Sequence, residues 1–186
     1  GHNITGTVFI ECGAEYRTDG PVALQPVGET EYVVAQAKQA RKGEAPGKPP
    51  ILGIVSHADL TLGAAVVDVL QAHQESAEGL LRGIRHSTAF YPDPPAVDRY
   101  AGRVAELMLQ PSFREGFAQL SSAGLSYDAW LLHTQITELT DLARAFPDTT
   151  IILDHFGGPL GIGPYSGKQA ELFPQWKADI AELARC

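Results

Sequence analysis

Five short apolar runs punctuate the chain, and each closes on a residue that can do chemistry. They are Thr5–Cys12, Ile51–His57, Leu80–His86, Leu125–His133 and Thr149–His155, with Glu11 and four histidines at or near their downstream ends. The runs are short, and the first is rich in β-branched and aromatic residues, as strands require. Between them, apolar positions recur at helical spacing. Val33, Val34 and Ala37 mark a helix over Glu29–Arg41, and Leu62, Val66, Val69 and Leu70 mark a second. Val97–Met108 and Phe113–Ala123 read as two helical segments separated by Pro111, with Ser112 placed to cap the second and Gly124 to stop it. Ile136–Phe146 follows with Thr134 as its cap, and Lys168–Ala184 closes the chain with Leu172, Trp176, Ile180 and Leu183 on one side. Loops are expected at Ala14–Gly28, Lys42–Pro50, Ser87–Pro95 and Gly157–Gly167, where glycine and proline cluster.

Continuous apolar runs that alternate with helices predict an α/β protein built on a parallel sheet. An open doubly wound sheet and a partial (β/α)₈ TIM barrel both fit that order. Polar residues at the end of every strand, rather than after one or two of them, favour the barrel, whose active face collects all the strand ends. A closed barrel has eight strands and about 250 residues, whereas five strands are visible among 186 residues. The expectation is therefore one incomplete barrel domain over residues 1–186, an internal segment of a longer protein.

Composition narrows the partners. With 44% hydrophobic residues the chain can bury a core, and its net charge of −8 supplies no broad electrostatic footprint for nucleic acid. No apolar stretch reaches the length of a membrane span, and no leader is visible, so a cytoplasmic location is expected. The two cysteines, Cys12 and Cys186, make neither a disulfide framework nor a CxxC site, which fits a reducing compartment.

Among the strand ends, His155 is the strongest candidate, because the glycines after it let a ligand approach the backbone. It could serve as a base, a hydrogen-bond donor or a metal ligand, or be held structurally by Asp154. The segment from Arg82 to His86 reads Arg-Gly-Ile-Arg-His. An inward Arg85 could bind a carboxylate or stabilise charge on a carbonyl oxygen, while an outward one would tie strand to helix. Arg82 and His86 carry the same ambiguity at the end of the third strand. His133 and Gln135 sit at a strand-to-helix junction, His57 has Asp59 within reach as an orienting group or helix cap, and Glu11 could be a ligand, a base or a salt-bridge partner. Tyr91 and Tyr165 fall in loops on the same face, able to cover a ligand or to pack on its rim. There is no HxH, HExxH, GxSxG, GxGxxG or GxxxxGK pattern, so the zinc protease, serine esterase, Rossmann and P-loop readings lose their usual support. The glycines of Gly157–Gly163 suit a phosphate loop only weakly, since Pro159 lacks a backbone donor.

Taken together, Gly1–Asn3 with Thr7–Cys12, Gly53–Leu60, Arg82–His86, Tyr127–Gln135 and Ile152–Pro159 resemble the amidohydrolase-related TIM-barrel hydrolases (amidohydrolase family 2). More narrowly they resemble the branch with sugar lactonases and pyrone dicarboxylate lactonase. The resemblance spans nearly the whole chain. It implies hydrolysis of a lactone or related carbonyl compound by activated water. His155 and Arg85 would be catalytic, and His133, Gln135, His86, Arg82, His57 and Tyr91 would surround the substrate. The resemblance leaves metal use open: a divalent metal such as zinc, with His155 and Glu11 as candidate ligands, or none. The family's opening Asp-x-His-x-His strand and closing strand Asp have no counterpart here, which implies one strand missing before Gly1 and two after Cys186, and an inactive isolated fragment. The implied partner is a small molecule, carboxylated or not, with neither nucleic acid nor membrane, and with homo-oligomerisation open for the full-length parent. A metal-dependent decarboxylase on the same barrel and a non-catalytic binding module are the alternatives.

Overall fold

The structure is a computed structural model that describes residues 3–41, 48–92 and 104–186. Five strands, β1 (Thr7–Ile10), β2 (Ile51–Ser56), β3 (Leu81–Ile84), β4 (Ser126–Ala129) and β5 (Ile151–Leu153), pair in parallel in the order of the sequence. Strand order without a reversal, joined by right-handed crossovers, sends every connecting helix to one side of the sheet. That excludes the doubly wound alternative and leaves a curled half-barrel, a partial (β/α)₈ fold.

The helices are α1 (Val27–Arg41), α2 (Val66–Ser76), α3 (Pro111–Ser122), α4 (Ile136–Ala145) and α5 (Gln169–Leu183). Their apolar stripes meet the convex face of the sheet. Ile84 and Tyr127 from β3 and β4 lie in one buried cluster with Phe113, Phe117 and Leu120 of α3 and Leu139 and Leu142 of α4. Val33, Val34 and Ala37 of α1 pack with Ile54, Leu80 and Phe9 in a second cluster. Gly116 permits the tight approach of α3: a Cβ there would stand 2.1 Å from the Leu60 carbonyl oxygen.

Several local expectations change. Every strand stops short of its predicted end, because the chain peels into separate loops at the rim. In β5 this is enforced by left-handed backbone at His155 (φ 50°) and Phe156 (φ 55°). Ser112 does not cap α3; Gln110 takes the extended cap conformation and Pro111 the first helical position, where its missing N–H costs nothing. Thr134 does not cap α4 either. Instead, the Gln135 side chain accepts the Leu132 amide at 3.3 Å. Of the predicted helix at 97–108, residues 97–103 lie outside the described residues; beyond them, left-handed Glu106 leaves only a 3-10 turn at Leu107–Leu109. Gly124 does end α3, with a φ of 67°.

Candidate active site at the strand ends

The first residue after each strand forms the rim of the half-barrel: Glu11, His57, Arg85, Trp130 and Asp154. Three of these join across the sheet. The Arg85 guanidinium donates from Nε to Glu11 Oε1 at 2.8 Å, from Nη2 to the Glu11 carbonyl at 2.5 Å and from Nη1 to Asp154 Oδ2 at 3.2 Å. Arg85 therefore ties the ends of β1, β3 and β5. Burial opposes its charge, but Glu11 and then Asp154 outweigh that, holding the guanidinium pKa above its ordinary value. Asp154 thus serves Arg85, not His155 as the structural alternative had it.

Asp128 lies one residue beyond Tyr127 on β4, so it faces the concave side while Tyr127 faces the helices. It is 3% exposed and its Oδ1 has no hydrogen-bond partner among the described residues. Burial, and then the charge of Asp154, push its pKa up to about 6, against the pull of Arg85. The sequence carried a usable signal for it, a carboxylate inside an apolar run, although Asp128 does not stand at a strand end.

Beside this cluster a cleft of about 400 Å³ is lined by Glu11, Tyr16, His57, His86, Ser87, Thr88, Val104 and Leu107. The His57 and His86 rings lie edge to face, with centroids 5.5 Å apart. Asp59 accepts from the Thr61 amide at 2.9 Å, capping the turn that starts at Leu60, and stands 3.7 Å from His86 Nδ1. Burial would raise its pKa, but the Thr61 bonds and the charge of His86 and His57 hold it low. Asp59 is thus a cap, and its imidazole neighbour at the rim is His86.

The remaining candidates disperse. Arg82 is not at the end of β3 but near its start, where it donates to the carbonyls of Gly79, Leu81 and Leu52. Three residues of strand, about 10 Å, separate it from Arg85. Gln135 is buried, and its amide is committed to backbone: it donates to Thr88 O at 2.8 Å and accepts from Phe90 N at 2.9 Å. It pins the loop after β3 to the loop after β4. His133 accepts the Leu160 amide at 3.3 Å and lines a different, apolar groove with Leu172, Phe173 and Trp176. Tyr91 is buried and meets the Tyr165 ring edge to face, as a packing residue would. His155 is exposed, its ring against Trp130 at 4.7 Å, and it is not among the residues lining the cleft.

A metal would need several of these donors together. Glu11 and His155 do not meet with a third ligand, since no group of three His, Cys, Asp or Glu among the described residues is arranged to hold an ion. The described residues therefore do not fit a metal by themselves, and no chemical step is derived through one. No helix among them is long and apolar enough to cross a membrane.

Sequential parallel strands with polar groups gathered at their C-terminal ends are the arrangement of a partial (β/α)-barrel, a fold class in which functional groups sit at that rim. Residues 11–186 match the sequence profile of the amidohydrolase family, and the chain belongs to that family. Over 132 residues, 71% of this chain, it is 38% identical to the uncharacterised protein y4mH of Sinorhizobium fredii, and the match spans 40% of that relative's length. Two crystal structures of an amidohydrolase from Burkholderia multivorans share the fold. One, with bound HEPES, aligns at a TM-score of 0.57 and 19% identity over 97% of this chain and 66% of the other. The other, with bound zinc, aligns at 0.54 and 18% identity over 98% and 66%.

Proposed function

We propose that this chain supplies a major part of the rim of a hydrolase that opens a lactone or a related carbonyl compound by attack of activated water. The observation that carries the reading is the cleft itself, which places two imidazoles and Glu11 beside the Arg85 tie at the C-terminal ends of parallel strands. Membership of the amidohydrolase family supports it. Such a rim can do two things for a carbonyl: accept the proton of a water molecule and donate a hydrogen bond to the developing oxyanion.

The electrostatics favour an uncharged substrate over a carboxylated one. The guanidinium of Arg85 already faces two carboxylates, Glu11 and Asp154, so a substrate carboxylate would have to displace one of them. A sugar lactone avoids that cost. Arg85 acts here by fixing the rim, and the five strands complete a reaction centre together with the remaining strands of an eight-stranded barrel.

The test is the ring opening of gluconolactone, followed by acid release, for this chain beside a longer amidohydrolase polypeptide that carries it with the remaining strands. The longer polypeptide is expected to open the ring and the chain alone to be far slower. Comparable rates would overturn the need for the other strands. Carbon dioxide from carboxylated substrates in place of a ring-opened acid would replace the hydrolase with a decarboxylase.

A further inference from the structure

We propose that Tyr16, in the loop after β1, is a catalytic hydrogen-bond donor whose hydroxyl holds the carbonyl oxygen of the substrate as that oxygen gains charge. The inference rests on the preceding reading that the cleft takes a neutral carbonyl compound. Tyr16 is half-buried and lines the cleft with Glu11 and His57. Its hydroxyl has no hydrogen-bond partner among the described residues. A phenol removed from bulk water ordinarily finds one, and here the acceptor is left to the occupant of the cleft.

The loop is fixed on both sides of the tyrosine. Before it, the buried carboxylate of Glu29, in the first turn of α1, accepts the Ala14 amide at 2.7 Å and the Cys12 amide at 3.1 Å through one oxygen. After it, the Arg17 amide donates to the Gln25 carbonyl at 2.9 Å, and the Arg17 side chain pairs with Glu31 of α1. Glu15 stands at φ 53°, a left-handed conformation that a residue with a Cβ keeps only where its surroundings impose it. Gly28 lets the loop press onto the start of α1: a Cβ there would stand 2.4 Å from the Glu15 carbonyl oxygen and 2.7 Å from the Arg17 amide nitrogen. Strain at Glu15 and close approach at Gly28 share one result, a set position for the residue between Glu15 and Arg17. Glu15, Gly28 and Glu29 are therefore positioning residues.

The surroundings also decide what kind of group Tyr16 is. Burial, and then the charges of Glu11, Glu29 and Cys12, hold its pKa well above the ordinary phenol value. The hydroxyl thus keeps its proton across the neutral range, which leaves a donor rather than a base or nucleophile. Neither carboxylate consumes that donor, because Glu11 is engaged by Arg85 and Glu29 by the Cys12 and Ala14 amides. A lactone carbonyl offers a matching acceptor: its oxygen is uncharged on binding and gains charge as water adds, so the hydrogen bond strengthens toward the transition state. The O–H bond of Tyr16 stays intact throughout.

Tyr16→Phe removes the hydroxyl and keeps the ring. In the longer polypeptide it should lower kcat for gluconolactone opening by about 10²–10³-fold, with kcat/KM falling by the same factor, the mark of an interaction made chiefly in the transition state. In the chain itself, labelled with ¹³Cζ-tyrosine and assigned with Tyr16→Phe, added δ-valerolactam, an unreactive cyclic carbonyl compound, should move the Tyr16 signal. Tetrahydropyran, a ring of the same size without the carbonyl, should not. An unchanged rate, a change confined to KM, or a Tyr16 signal that ignores the lactam or answers both rings equally overturns the inference and leaves the hydrolase reading standing. No opening by the unsubstituted polypeptide overturns the reading, and the inference falls with it.

Discussion

The two faces of the sheet are built on different terms. On the convex face the side chains of β3 and β4 disappear into α3 and α4, and the polar groups buried alongside α1 and α2, Ser56, Thr30 and His73, satisfy one another. On the concave face Val8 is 55% and Ile152 46% exposed, and the buried carboxylate of Asp128 keeps an oxygen without a partner among the described residues. Stability is concentrated on the first face. The second holds unsatisfied and half-paired charge, the condition under which side chains are available for ligands.

The sharpest way to break this contrast is to truncate one apolar side chain on each face. Phe117→Ala, in the convex core, should cost about 3–5 kcal/mol of unfolding free energy, while Ile152→Ser on the concave face should stay within about 0.5 kcal/mol. Urea titration of both variants measures the difference. Equal losses would mean that the concave face is as closed as the convex one.

A second comparison uses pH. Burial lowers the His73 pKa to about 4, so between roughly pH 4 and 6.5 the unfolded chain binds a proton that the folded chain does not, and stability rises with pH. Asp128 works the other way. With its pKa raised to about 6, the folded chain holds the extra proton between about pH 4 and 6, and stability falls as pH rises through that window. The two slopes oppose each other. Asp128→Asn should remove the second and uncover the first, gaining on the order of 2–3 kcal/mol over the unsubstituted chain between pH 4 and 6.5. Urea midpoints across that range are the measurement, and parallel pH curves for the two proteins would count against the buried carboxylate.

The smallest expected effect concerns the rim. Arg85→Met leaves Glu11 and Asp154 without their shared cation and should cost about 2 kcal/mol. Arg85→Lys, which keeps the charge but not the fork, should fall between Met and the original residue. A full recovery by lysine would show that charge alone, and not the tie across three strands, is what the position needs.

Much of this was legible in the residues. The five strands and the helices over 27–41, 111–122 and 136–145 announce themselves through apolar spacing, and polar residues at the end of every strand favoured the barrel order over the doubly wound one. The gathering of His57, Arg85 and His86 at one end of the sheet was also legible, because parallel strands deliver their downstream ends to one face. Arg82 was misplaced because a run of apolar residues does not mark where its hydrogen-bonded ladder begins and ends. Gln135 and His133 looked like partners in one site because they are close in sequence, yet one is consumed by backbone groups and the other opens onto a separate groove. His73 gave no signal at all, since its value lies in Thr30 and the His57 carbonyl, which only folding brings to it.

The sequence alone determined the periodicities, and through them a parallel sheet with chemistry at its strand ends and membership of the amidohydrolase family. Only the tertiary structure decided which end groups pair, that Arg85 belongs to Glu11 and Asp154, and that Asp128 is buried without a full complement of partners among the described residues. The division has a physical basis. Secondary structure follows from local spacing along the chain, whereas ion pairing and pKa depend on distances between atoms tens of residues apart, which the packing of the sheet and helices sets.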